Sequence, residues 1–143
     1  MTTLDTQGLF ILEGKDIVPY KLTHSKAILV GVPGAFTPGC TKKHLPGFVK
    51  NLETLKNKGI EKVVFMAVND AFVMDEWNKT HGHPDIDSVS DPLAVFSKKL
   101  KKEVDWGETF GIRCNRFAVL VENGEITKDF KDPFIEGVLE ELS

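Results

Sequence analysis

Only two cysteines occur in this chain, Cys40 and Cys114, far apart and in no metal-binding spacing. That scarcity excludes a disulfide scaffold and a zinc knuckle, and it points to a reducing compartment. No apolar run approaches the length of a membrane span, and the start Met1-Thr-Thr-Leu-Asp5 lacks a signal-peptide pattern. The end, Glu141-Leu-Ser143, is not a peroxisomal signal, so a cytoplasmic location is expected. An excess of positive charge is missing as well. With 18 Lys and Arg against 21 Asp and Glu, neither nucleic acid nor an anionic membrane is expected as a partner. The ten phenylalanines, lacking a basic groove beside them, read as core. There is no internal repeat and no low-complexity tract. What remains is 143 residues, 41% hydrophobic and 27% charged, the composition of one globular domain over 1–143 with a substantial core.

The chemistry concentrates in Gly31-Val-Pro-Gly-Ala-Phe-Thr-Pro-Gly-Cys-Thr41. Ahead of it Ala27-Ile-Leu-Val-Gly-Val32 is apolar and β-branched, a buried strand. Behind it Leu45, Phe48, Val49, Leu52 and Leu55 recur at helical spacing. Thr37 is a good N-cap and Pro38 suits the first helical position, which makes Cys40 the third helical residue. A thiol in the first turn faces unpaired N–H groups and the positive end of the helix dipole, and both favour a thiolate. Gly39 leaves its N–H unshielded, so a small ligand can approach the backbone. The competing reading, a small buried hydrophobe, fits a lone Cys in general. The preceding Gly and Pro at a helix start favour the reactive thiol.

Elsewhere the pattern alternates between strands and helices. Residues 8–12 and 17–22 form an N-terminal hairpin, with Pro19 placing the second strand at an edge. Gly59 caps the first helix, and Lys62-Val-Val-Phe-Met-Ala-Val68 is a second buried strand, completing a right-handed βαβ unit with parallel pairing. Asn69-Asp70 caps a helix through Phe72, Val73, Glu76 and Trp77 that ends at Gly82 and Pro84. Asp91-Pro92 opens another through Leu93, Val95, Phe96 and Leu100. Its closing run, Lys98 to Lys102, reads as a solvated helix C-terminus. Phe117 to Val121 and Glu125 to Phe130 form a hairpin around Asn123-Gly124, a type I′ turn. Asp132-Pro133 starts a last helix with Ile135, Val138, Leu139 and Leu142 on its buried stripe. The class is α/β.

Pro33-Gly-Ala-Phe-Thr37-Pro-Gly-Cys40 resembles the peroxiredoxin pattern of Pro, three residues, Thr, two residues, Cys. The longer run from Gly31 to Phe48 resembles the atypical type-5 subfamily. So do Val68-Asn-Asp-Ala-Phe-Val73 with Trp77, and the segment Arg113-Cys-Asn-Arg-Phe-Ala-Val-Leu-Val-Glu-Asn-Gly124, in the same order. The resemblance implies a thioredoxin-like sandwich, a central mixed β-sheet flanked by helices. It also implies a thiol peroxidase acting on hydrogen peroxide and alkyl hydroperoxides without a cofactor or metal, and a homodimer joined through loops near Thr37, Phe72 and Arg113.

By the same resemblance Cys40 is the peroxidatic nucleophile, cycling through a sulfenic acid. Arg116 supplies a fixed cation that donates to sulfur and peroxide together. Thr37 is either a cap alone or a cap whose hydroxyl also contacts thiolate and peroxide; the resemblance favours the latter. Pro33 has no N–H and shields the thiolate, and the N–H groups of Gly39 and Cys40 hold peroxide oxygens. Arg113 lends support to the pocket. His44, one turn after Cys40, admits a Cys–His pair or a metal pair, but a structural place near the pocket mouth is favoured. His81-Gly-His83 reads as a solvated loop.

Many type-5 relatives carry a resolving Cys near the C-terminus, and here there is none. Cys114 lies two residues before Arg116, about 6–7 Å along a strand. If Arg116 reaches Cys40, Cys114 stands beyond the roughly 4.4–6.8 Å Cα separation of a disulfide. A one-Cys cycle follows, with glutathione, glutaredoxin or thioredoxin as external reductant. A thiol–disulfide oxidoreductase is disfavoured by the missing Cys-x-x-Cys. The remaining alternative is a redox sensor or interaction protein switched by Cys40 oxidation.

Overall fold

Strands rich in Val, Ile, Leu and Phe that are hydrophobic on both faces need cover on both faces, and that requirement organises the chain. The computed structural model describes residues 2–142. Its strands are β1 (Thr2–Thr3), β2 (Phe10–Glu13), β3 (Asp16–Pro19) and β4 (Lys26–Gly31). After β4, a helical segment beginning at Pro38 passes through a π-helical turn, Cys40–His44, into α1 (Leu45–Lys50) and α2 (Leu52–Asn57). Then come β5 (Lys62–Ala67), α3 (Ala71–His81), β6 (Ile86–Ser90), α4 (Val95–Lys99), β7 (Glu103–Asp105) and β8 (Ile112–Cys114). The chain closes with β9 (Phe117–Glu122), β10 (Glu125–Asp129) and α5 (Ile135–Leu142).

Eight strands form one mixed sheet in the order β1-β10-β9-β4-β5-β6-β2-β3, and β7 pairs with β8 separately. The central β4-β5-β6 ladders are parallel, as the βαβ reading requires, and β9 joins β4 antiparallel. Alternation along the strands separates two cores. Ile28, Val30, Phe65 and Ala118 pack with Leu45, Phe48, Trp77, Ile135 and Val138 on one face. Leu29, Val64, Met66 and Val119 pack with Phe96 and Leu9 on the other. Cys40 belongs to the first core and Cys114 to the second. The sheet stands between the two thiols.

Most sequence expectations hold. Pro19 ends β3 on the sheet edge, where its missing N–H does no harm. Asn123 and Gly124 both have positive φ, 51° and 80°, as a type I′ turn demands. Asp70 caps α3 by accepting from Val73 N. Strands β6, β7 and β8 were not anticipated. The helix expected from Asp91-Pro92 begins later, at Val95. The intervening residues make a loop in which Ala94 takes φ 56°. Asp91 still serves that helix, from farther off: its buried carboxylate accepts from Phe96 N, Ser97 N and Ser97 Oγ. A side chain that satisfies three donors at a helix start outweighs the local preference of Pro92 for a first helical position.

Asp91→Ala would leave those three buried donors unpaired. It should destabilise the fold by about 2–4 kcal/mol, read as a lower urea midpoint with unchanged m-value.

Candidate active site

The turn between β4 and the first helix is pinned from three directions. Ala35 N donates to Asn69 Oδ1 at 2.8 Å, Arg113 Nη1 donates to the Pro33 carbonyl at 3.3 Å, and Thr37 Oγ1 donates to the Gly34 carbonyl at 2.6 Å. Arg113 is itself fixed, donating through Nε to Phe110 O at 2.9 Å and lying 3.9 Å above the Phe110 ring. Phe36 takes φ 64° in this turn, an uncommon conformation for a bulky residue. It stays half-exposed, edge-on to His81 at 5.8 Å.

Thr37 caps the helix differently from the expectation. Its backbone carbonyl accepts from Thr41 N at 3.0 Å, which makes it the boundary residue. Its hydroxyl proton goes backward to Gly34 instead of its oxygen accepting from the helix. The hydroxyl lone pairs therefore remain free to accept. Cys40 then stands third in the helix, as expected, and opens the π-helical turn in which Leu45 N donates to Cys40 O. Trp77, fully buried on α3, donates from Nε1 to Thr41 Oγ1 at 3.0 Å and ties this turn to the neighbouring helix.

Arg116, between β8 and β9, reaches back across 76 residues to donate from Nη2 to Cys40 Sγ at 3.5 Å. A Cβ built on Gly39 would lie 3.1 Å from that same nitrogen, so a residue without a side chain admits the guanidinium over the helix start. Arg116 Nη1 faces His44 Nδ1 at 2.8 Å, and His44 Nε2 faces the Pro133 carbonyl at 2.7 Å. A guanidinium only donates and a carbonyl only accepts, which assigns His44 as the neutral tautomer protonated on Nε2. Burial pushes its pKa down to about 4, against a raising contribution from Pro133 O, and the Arg116 charge lowers it further.

His44 is thus buried at 0% exposure instead of standing at the pocket mouth. Both ring nitrogens are engaged, so it is available neither as a base to Cys40 nor as a metal ligand. Cys40 is also at 0% exposure. Cys114 lies across the sheet against Gly31, where an added Cβ would sit 2.7 Å from its sulfur. Burial pushes the Cys114 thiol up to about 12, and it donates to Asn115 O at 3.0 Å. Arg116 and Cys114 do not share one strand as the sequence suggested: β8 ends at Cys114 and β9 begins at Phe117.

A thiol at a helix start with a guanidinium on its sulfur is arranged for nucleophilic attack on a small polar oxidant. The Redoxin family model matches residues 10–142. Peroxiredoxin-2C of Oryza sativa is 42% identical over 132 residues, covering 87% of this chain and 82% of the relative.

The chain belongs to the type-5 peroxiredoxins.

Solved structures agree with that assignment. Reduced Prx3 of Vibrio vulnificus in complex with hydrogen peroxide superposes with a TM-score of 0.92 at 32% identity, covering 99% of this chain and 97% of that one. Peroxiredoxin 5 of Alvinella pompejana gives 0.85 at 26% identity, with coverage of 99% and 97%. The fold is thioredoxin-like, and the peroxiredoxin is a thiol peroxidase. No helix among the described residues is long and apolar enough to cross a membrane.

The sequence brought Cys40, Thr37, Pro33, Gly39, Arg113 and Arg116 to attention. It missed Asn69, the Trp77–Thr41 bond and the Pro133 carbonyl that holds His44. Asn69 and Trp77 stood inside quoted motifs, but nothing in their spacing specified partners more than 30 residues away.

Because the folded-state pKa of His44 lies below the ordinary 6.5, the unfolded chain takes up that proton first. The contribution of His44 to stability is full above pH 6.5 and is lost as pH falls through about 4. It amounts to about 3 kcal/mol at most. Urea unfolding between pH 7 and 4 should show a steeper loss for the native protein than for His44→Gln; equal slopes would contradict the assignment.

Proposed function

We propose that Cys40 is the peroxidatic residue of a one-Cys cycle carried by a single domain over 1–143. The observation that carries this reading is the 3.5 Å contact from Arg116 Nη2 to Cys40 Sγ at a helix start. The thiolate attacks one peroxide oxygen, the O–O bond breaks, and the other oxygen leaves and takes a proton as water or alcohol. Cys40 retains one oxygen as sulfenic acid. Arg116 donates to the sulfur and to the departing oxygen, where negative charge grows. Thr37, whose hydroxyl proton is committed to Gly34, accepts from the peroxide O–H, and the N–H groups of Gly39 and Cys40 hold its oxygens. Pro33, with no N–H of its own, shields the thiolate from water.

An external thiol then attacks the sulfenic sulfur, releasing water and forming a mixed disulfide. A second thiol frees Cys40 and leaves as the oxidised disulfide. Glutathione, glutaredoxin and thioredoxin all supply that chemistry. Three observations support an external reductant over Cys114: the sheet lies between the two sulfurs, Cys114 is fully buried, and its thiol is pushed up to about 12. The scarcity of cysteine supports a reducing compartment, the cytoplasm. A homodimer is supported by exposed Phe36, Phe72 and Ile112, each beside one of the three loops expected to associate.

Cys40→Ser should abolish peroxide consumption, and Arg116→Met should lower the second-order rate by about 100-fold. One equivalent of peroxide should leave a dimedone-trappable sulfenic acid on Cys40, and Cys114→Ser should keep most of the turnover with a small-thiol reductant. A Cys40–Cys114 bridge formed as fast as turnover would make Cys114 the resolving residue. Absence of turnover with excess reductant would favour a sensor over an enzyme. Sedimentation at micromolar concentration should show a dimer and Phe72→Glu a monomer; a native protein that stays monomeric would remove the dimer from the reading.

A further inference from the structure

Arg116 is held by more than its two hydrogen bonds. The guanidinium carbon lies 5.2 Å from the centroid of the Phe134 ring. His44, which accepts from Arg116, stacks on the same ring at 4.5 Å with an interplanar angle of 33°. Lys43 Nζ approaches it at 4.6 Å. The residue before Phe134 supplies the carbonyl that fixes the His44 tautomer. Two consecutive residues near the C-terminus therefore touch both partners of the Cys40–Arg116 pair's supporting histidine and arginine.

The backbone there has little freedom. Phe134 N donates to Asp132 Oδ1 at 3.0 Å, and Phe134 O accepts from Val138 N at 3.1 Å at the start of α5. Asp132 folds back on Gly137, where an added Cβ would come within 2.6 Å of the carboxyl carbon. Ile135 meets α1 at Gly47, where an added Cβ would lie 2.9 Å from Ile135 Cγ2. Two positions without side chains seat the segment 132–137, and the seated segment aims the Phe134 ring at the guanidinium.

We propose that Phe134 is a positioning residue for Arg116: its ring face holds the guanidinium plane so that Nη2 stays on the Cys40 sulfur and on the departing peroxide oxygen. The inference rests on the reading of Cys40 and Arg116 as the peroxide-reducing pair. The face of a planar cation makes no hydrogen bonds, and the part-buried Arg116 could turn that face toward water. An aromatic ring attracts it through the ring quadrupole, which an aliphatic side chain of similar size lacks. The neutral state of His44 matters for the same reason, since a protonated imidazole in contact with both ring and guanidinium would add a charge that repels Arg116.

Phe134→Leu, Phe134→Tyr and a chain carrying pentafluorophenylalanine at position 134 test this. Stopped-flow oxidation of Cys40 by hydrogen peroxide gives the second-order rate, and thermal unfolding reports the fold. Phe134→Leu should slow oxidation by about tenfold, the range a part-buried cation–ring contact supports. Phe134→Tyr should restore most of the rate. The fluorinated ring keeps shape and burial while removing the negative face, so it should be nearly as slow as Phe134→Leu at a near-native thermal midpoint. If Phe134→Leu fails to fold, the fluorinated protein decides alone. A fluorinated protein as fast as the native one overturns the inference, and so does a loss of rate that merely follows the thermal midpoint across the variants. A native protein that consumes no peroxide overturns the underlying reading as well, whereas a fast native enzyme with unaffected Phe134 variants overturns only the role of Phe134.

Discussion

A guanidinium beside a sulfur with no solvent exposure is the interaction on which this site depends. Partly removing an arginine from water, as for Arg116, is costly unless its donors and its charge are met. Here one donor goes to Cys40 Sγ, another to His44 Nδ1, and the cation lies near the Phe134 ring. None of these three partners is a carboxylate. A carboxylate in the place of His44 would neutralise Arg116 and compete with the thiolate for it. A neutral imidazole fixes the guanidinium by a hydrogen bond and leaves its charge for the sulfur. The low pKa of His44 has the same origin: burial and the adjacent cation both oppose a second positive charge.

The sheet makes the second contribution. The turn that carries Cys40 follows β4 and Arg116 immediately precedes β9, neighbouring strands whose antiparallel register pairs Gly31 with Phe117. Arg116 thus enters on the same end of the sheet as the turn after Gly31, and the contact between residues 76 apart is set by a single ladder. Phe117, the first residue of β9, belongs to the opposite core from Cys40, and Cys114, at the end of β8, packs in that same opposite core.

Sequence reading reached the parts of this arrangement that are local. The Thr37 boundary, Cys40 as the third helical residue and the type I′ hairpin follow from turn chemistry over a few residues, and the βαβ unit from side-chain period along consecutive elements. Arg116 came only from resemblance, because an arginine before a strand carries no local sign of a partner 76 residues back. The helix after Asp91 was misplaced since its cap acts from four residues before Val95, through a loop with a left-handed Ala94. Strand β6, with Asp87, Ser88 and Ser90 in five residues, is too polar to read as a buried strand, although parallel pairing with β5 buries most of it. Phe134 looked like ordinary core aromatic content; its neighbours on the ring come from the π-helical turn, Lys43 and His44, and from Arg116 ahead of β9, which no spacing encodes.

The burial of Cys40 limits what reaches it. A peroxide needs room for two oxygens at the sulfur, whereas a tripeptide thiol needs an open path to it, and the native turn provides no exposed sulfur. In the proposed cycle the turn over residues 33–44 must therefore open between the two half-reactions. Oxidation itself weakens the restraint. A sulfenic acid carries no negative charge at neutral pH, so Arg116 loses its anionic partner while its neutral ones remain, and the charge-assisted part of the contact falls away. The left-handed Phe36 strains the closed turn, and single hydrogen bonds to Asn69 and from Arg113 and Trp77 are what then hold it. Each is worth about 1 kcal/mol, few enough that the loss of one charged contact shifts the balance toward opening.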